Sequence, residues 1–171
     1  PAHSHPRHVL PRPPPLRVNK KALTEADIRT KFITPALVGA NADKWDVMTQ
    51  IREEAYVTRG RVIVRGKTVK RGDAMKVDYL LLYKPNLPLA VIEAKAWDKS
   101  LTEGVGQAKS YAAKLAVRHT YATNGQAIYG IDMITGTEGD VPSFPSPDEL
   151  WNLTFAELNA WRDRFAAVPF E

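Results

Sequence analysis

Cysteine is absent from the 171 residues, which excludes a disulfide scaffold, a thiol nucleophile and any cysteine-ligated zinc or iron–sulfur centre. Long apolar runs are absent as well. Nothing approaches the run of about 18 apolar residues that a membrane-spanning helix needs, and no apolar h-region of a secretory signal is present. Acid is missing from residues 1–21, which hold Arg7, Arg12, Arg17, Lys20 and Lys21 together with Pro1, Pro6, Pro11, Pro13, Pro14 and Pro15, and no glycine. So much proline forbids a helix or a central strand, and the apolar content is too low to collapse. An extended arm over 1–21 is expected, followed by one folded domain over 22–171. His3, His5 and His8 lie in that arm, where nothing fixes a metal-binding geometry. The chain begins on Pro rather than Met, so a processed or excised piece is expected.

What is present suits a globular domain: 44% hydrophobic and 25% charged residues. The formal charge of +5 equals that of the arm alone, so the rest of the chain is neutral. It is not even, however. Residues 22–51 carry 3 bases and 4 acids, 52–118 carry 14 bases and 7 acids, and 119–171 carry 2 bases and 8 acids. A basic middle points to an anionic partner better than the whole-chain charge does.

Thr24 with Asp27 three residues on resembles a capping box, and Ile28, Phe32, Ile33 and Leu37 continue at helical spacing; Pro35 is expected to kink or end that helix near Thr34. Strands are expected over 50–57 and 61–64, then over 77–83 and 89–94 around a turn at Lys84–Pro88. A helix over 102–116 has Val105, Ala108, Ala112 and Leu115 on one stripe. Strands near 119–122 and 127–131 are split by Asn124-Gly125. Capping boxes at Ser146 and Thr154 then predict two C-terminal helices. The order gives an α/β fold with a mixed β-sheet flanked by helices.

Gly60-Arg61-Val62-Ile63-Val64-Arg65-Gly66-Lys67-Thr68 imitates a phosphate-binding P-loop. Five residues rather than four separate its glycines and no helix pattern follows, so a basic hairpin is expected and no nucleotide site.

The chemistry lies in the two apolar strands. Each carries an acid, Asp78 in one and Glu93 in the other, and Lys95 follows two residues after Glu93 on the same face. If the strands close antiparallel about Pro85-Asn86, facing positions sum to about 171, which sets Asp78 opposite Glu93 with Cβ atoms about 4.5–5.5 Å apart. Carboxylates that close in an apolar sheet take up a proton unless a cation lies between them. Oxygen donors without Cys or His suit Mg²⁺ or Mn²⁺. Lysine beside them suits a phosphate or an attacking water, and together they suggest metal-assisted phosphodiester hydrolysis. The same spacing also fits two strand-end acids with a surface lysine as their ion-pair partner.

Asp78 with Glu93-Ala94-Lys95 resembles the PD-(D/E)xK nuclease motif, with Val77 in place of the proline. Gln107-Ala108-Lys109-Ser110-Tyr111, twelve residues on, resembles the QxxxY helix of the RecB-like branch. Leu23–Arg29 with Phe32-Ile33, Tyr121–Gly125 and Phe144–Leu150 are similar, in order, to segments of the restriction (R) subunits of type I restriction-modification enzymes. The resemblance implies a restriction-endonuclease-like core that cuts double-stranded DNA with Mg²⁺ (or Mn²⁺). In that family an ATP-driven translocating motor follows, and neither it nor an ATP site is expected in this chain. It also implies methylation and specificity subunits as partners, no membrane, and a prokaryotic cytoplasm. Carried over by position, Asp78 and Glu93 become metal ligands with the Ala94 carbonyl as a third. Lys95 becomes the group that stabilises the pentavalent phosphate or orients the water. Gln107 and Tyr111 become residues that hold DNA or the catalytic face in register. Glu25 becomes a further candidate metal ligand, or a first-turn acid favourable to the helix dipole. Two other functions fit the same residues: a free-standing repair or junction nuclease of that superfamily, and an inert DNA-binding or subunit-docking module.

Overall fold

A computed structural model describes residues 19–58, 61–63 and 74–167. Most of the proline-rich arm and most of the P-loop-like segment therefore lie outside the described residues. At the end of the arm, Lys20–Ala22 form one 3-10 turn in which the Lys21 amide donates to the Asn19 side chain.

Among the described residues seven strands make one sheet: β1 (Ile51–Thr58), β2 (Arg61–Ile63), β3 (Met75–Lys84), β4 (Leu87–Ala94), β5 (His119–Thr123), β6 (Ile128–Asp132) and β7 (Glu138–Val141). Their spatial order is β2-β1-β3-β4-β5-β6-β7, and only β4 and β5 run parallel. The parallel pair is joined through α3 (Leu101–Leu115), the crossover that such a pair requires. The mixed sheet read from the sequence is therefore present.

Alternation along β3 builds a core on each face. Tyr79 and Leu81 pack with Ile28, Ile33, Leu37 and Leu150 on one side. Leu80 and Leu82 pack with Ala112 and Leu115 of α3 on the other. Burying each Leu contributes about 1.5–3 kcal/mol.

Of the two outcomes expected of Pro35, the first helix shows an interruption near Thr34 and not an end. The chain runs as α1 (Glu25–Ile28), a π turn (Arg29–Ile33) and α2 (Thr34–Val38), and the amide of Thr34 bonds the carbonyl of Arg29. The wider turn accommodates a ring that has no N–H to donate. At the other end α4 (Pro147–Ala166) is broken by non-helical backbone at Phe155 (φ −117°, ψ 25°), so two helical segments meet there at a kink, as expected. The Ser146 box forms with Glu149, but the Thr154 hydroxyl bonds back to the Leu150 carbonyl instead of capping a new helix. β7 has no counterpart among the expected strands: its residues Glu138-Gly139-Asp140-Val141 have low β-propensity, and it exists through its backbone pairing with β6. Among the described residues no helix is long and apolar enough to cross a membrane.

Candidate functional site

The β3–β4 hairpin turns at Pro85-Asn86, with Asn86 in the left-handed region (φ 64°). Beyond a shift near Leu82, Leu81 faces Ala90, Leu80 faces Val91 and Tyr79 faces Ile92. Those pairs carry the expected sum of 171, so the next position sets Asp78 against Glu93. The two strands are also tied there directly: the Asp78 carboxylate accepts from the Ala94 amide at 2.8 Å.

Glu93 is 5% exposed. Burial and the charge of Asp78 push its carboxyl up to about 7, against the opposing pull of a hydrogen bond from Lys95. Lys95 Nζ donates to Glu93 Oε1 at 2.9 Å and to Gln107 Oε1 at 2.5 Å. It lies 3.9 Å from Glu25 Oε1. Burial draws the ammonium down, but Glu93, Glu25 and Asp78 together hold it above the ordinary lysine range. Tyr111, one turn beyond Gln107 and hydrogen-bonded to it, is raised by burial and by the fields of Glu93 and Asp78.

Asp78, Glu93, Lys95, Gln107 and Tyr111 thus form one connected group, with Glu25 at its edge. Gln107 points at the lysine, so its role inside the chain is to hold Lys95. Glu25 keeps both its possible roles: it opens α1, and its carboxylate reaches the site. Ala94, whose carbonyl is the candidate third ligand, is the last residue of β4 and is paired with Thr123 of β5. Among the described residues no three His, Asp or Glu side chains gather as a metal cluster. The donor set is nevertheless one that Mg²⁺ accepts, since that ion keeps several waters and takes one or two carboxylates. A carboxyl raised by burial and, in addition, by a neighbouring carboxylate marks a place where a cation is favourable.

Several supporting residues escaped the sequence reading. Gly104 is buried in α3, where an added Cβ would lie 3.2 Å from Ala122 Cβ and 3.3 Å from Lys95 Cγ. The helix can lie over the lysine because this residue has no side chain. A glycine inside an amphipathic helix was the available signal, since it costs about 1 kcal/mol against alanine and so asks for a reason. Thr123-Asn124-Gly125 does more than turn the chain. Asn124 Nδ2 donates to the Lys99 carbonyl at 2.9 Å, fixing the segment after Lys95. Gly125 (φ 81°) lies so close to α1 and the π turn that a Cβ would meet Ile28 and Phe32.

On the other side of Asp78 stands Glu54. Glu53 faces Tyr79 and Ala55 faces Val77, so Glu54 takes the place across from Asp78. It does so in the left-handed region (φ 50°), which costs a non-glycine residue roughly 1–2 kcal/mol. Glu54 Oε1 receives Arg29 Nη1 at 3.0 Å and Lys76 Nζ at 2.9 Å.

No protein-family profile matches the chain. It is 43% identical over 141 residues to the type I restriction enzyme EcoAI endonuclease subunit of Escherichia coli, a match that covers 78% of this chain and 17% of that protein. A solved fragment assigned to an HsdR subunit of a type I restriction enzyme from Vibrio vulnificus YJ016 is 37% identical, with a TM-score of 0.64, covering 80% of this chain and 26% of that one. The chain therefore spans about a sixth of one relative and a quarter of the other.

Proposed function

We propose that a chain so similar to one segment of type I restriction subunits is the part of such a subunit that cuts DNA: a PD-(D/E)xK endonuclease domain acting on double-stranded DNA. The single observation that carries this is the convergence of Asp78, Glu93 and Lys95 under the Gln107–Tyr111 face of α3. In this reading the ATP-driven motor, and the contacts to methylation and specificity subunits, belong to the longer protein in its prokaryotic cytoplasm.

Mg²⁺ or Mn²⁺, held by Asp78, Glu93 and the Ala94 carbonyl with Glu25 in reserve, would supply Lewis-acid stabilisation and a more acidic water. The chain's own residues do the rest. Lys95 Nζ offers a fixed positive charge where a non-bridging phosphate oxygen gains charge as water adds to phosphorus and the deoxyribose oxygen leaves. Gln107 Oε1 shares that ammonium with Glu93, so the lysine is aimed by two acceptors rather than folded onto one. Tyr111 holds Gln107 in turn. Glu93 Oε, with its raised affinity for a proton, retains one near neutrality until a cation displaces it.

Substituting Asp78, Glu93 or Lys95 singly by Ala in the assembled restriction complex is expected to reduce DNA cleavage by more than about a hundredfold. ATP hydrolysis and the circular dichroism of the chain should stay as in the parent. Cleavage at parental rate in any of the three, with the fold retained, would refute the assignment.

Lys95 is held by Glu93 and Gln107 within the chain, which an inert docking module would also have. Titration with Mn²⁺ separates the two: binding lost on Asp78→Ala supports the nuclease, and no binding supports the module.

A further inference from the structure

The contacts of α1 and the π turn after it step across the sheet. Glu25 reaches Lys95 just past β4, and Arg29, one turn later, reaches Glu54 in β1. Between them lies Asp78 in β3. Glu54, Asp78 and Glu93 thus form a row over three adjacent strands, about 4.8 Å per step, with Lys95 at one end and a second group of cations at the other.

Arg29 and Lys76 share a single oxygen of Glu54, and the charge of Asp78 also acts on Arg29. The guanidinium fork is engaged through one nitrogen only, and its Nε is buried without a partner among the described residues. A purely structural pair would be expected to fill the fork with both carboxylate oxygens and leave no donor unmatched. The side chains of Lys76 and Glu54 are 46% and 48% exposed, so the group is open to solvent while Arg29 is held at 16%.

We propose that Arg29 and Lys76, gathered on Glu54 beside Asp78, form an anion site that holds a backbone phosphate of duplex DNA next to the one that is cut. The inference rests on the nuclease reading above. Glu54 accepts its left-handed backbone because that conformation sets its carboxylate between the two bases. A phosphate oxygen takes an Nη donor of the guanidinium rather than the buried Nε, and Lys76 adds a point charge. A DNA strand laid along the row Glu54–Asp78–Glu93 is thereby fixed in register, with its phosphates at both ends on cations.

The test uses the 171-residue chain and a fluorescein-labelled DNA duplex, with affinity read by fluorescence anisotropy in EDTA over a range of salt. Arg29→Ala is expected to weaken binding about tenfold, and Lys76→Ala severalfold, whatever the duplex sequence. Each should lower the slope of log affinity against log salt by about one. Arg29→Lys should keep the slope and lose part of the affinity. Unchanged affinity and slope in Lys76→Ala and in whichever Arg29 variant keeps the parental circular dichroism would overturn the proposal. Absence of any salt-dependent duplex binding by the parent would overturn it together with the nuclease reading. If the two variants lose affinity while Asp78→Ala leaves cleavage by the complex intact, the nuclease reading alone fails.

Discussion

Glu93 is the residue on which the electrostatics turn. Its carboxyl is raised to about 7 in the folded chain against 4.5 for an ordinary glutamate. The folded state therefore binds a proton that the unfolded state has released between those two values. On that sign the contribution is full below the unfolded pKa and is lost as the pH climbs through the folded one. The metal-free chain should become more stable by about 2–3 kcal/mol as the pH falls from 7.5 to 5. Glu93→Gln should flatten that dependence, as followed by urea midpoints. Because the Lys95 bond opposes the rise, Lys95→Met should shift the Glu93 titration further upward in a carboxyl NMR experiment. A downward shift would contradict the account of the pair given above.

At the scale of elements, α3 is positioned by what it lacks. Gly104 and Gly106 both cost the helix intrinsic stability, but only Gly104 has neighbours within reach of an added Cβ. Gly106→Ala is expected to stabilise the chain by about 0.5–1 kcal/mol. Gly104→Leu should destabilise it by about 1–3 kcal/mol and displace the lysine. Thermal unfolding of the two variants gives the comparison, and equal effects would remove the close-approach explanation. The helical segment over Glu25–Val38 follows the same logic. Its π turn lets Pro35 remain helical, and the turn begins at Arg29, whose side chain reaches Glu54.

At the scale of the whole molecule, the hairpin, α3 and the segment Glu25–Ile33 bring three separate stretches of sequence to one end of the sheet. A divalent cation bound there would stabilise the folded state by mass action. Mn²⁺ at about a hundred times its dissociation constant should add about 2.7 kcal/mol to unfolding of the parent. It should add nothing to Asp78→Asn, and a gain of equal size in that variant would place the ion elsewhere. The polarity of the chain has its use at this scale too. The basic middle, residues 52–118, contains Asp78, Glu93, Lys95, Lys76 and Gln107, so the acids of the site belong to the stretch of sequence that is richest in bases. That arrangement attracts a polyanion while keeping two carboxylates for a metal.

The sequence by itself determined the α/β order and the pairing of Asp78 with Glu93, because both follow from local rules. Strands alternate with period two, and a Pro-Asn turn sets a hairpin's register within a few residues. It also determined that Gln107 and Tyr111 share a helix face, which is a matter of 3.6 residues per turn. It did not determine what those residues touch. That Gln107 aims Lys95, that Gly104 makes room for the lysine and that Arg29 stands over Glu54 and Asp78 are contacts between segments 9 to 49 residues apart. They depend on how the helices lie against the sheet, which no local periodicity encodes. The same holds for β7, made a strand only by its partner, and for Pro35, kept helical only by a π turn. Such features are settled by packing and by the satisfaction of buried polar groups across the whole fold, and so only the tertiary structure decided them.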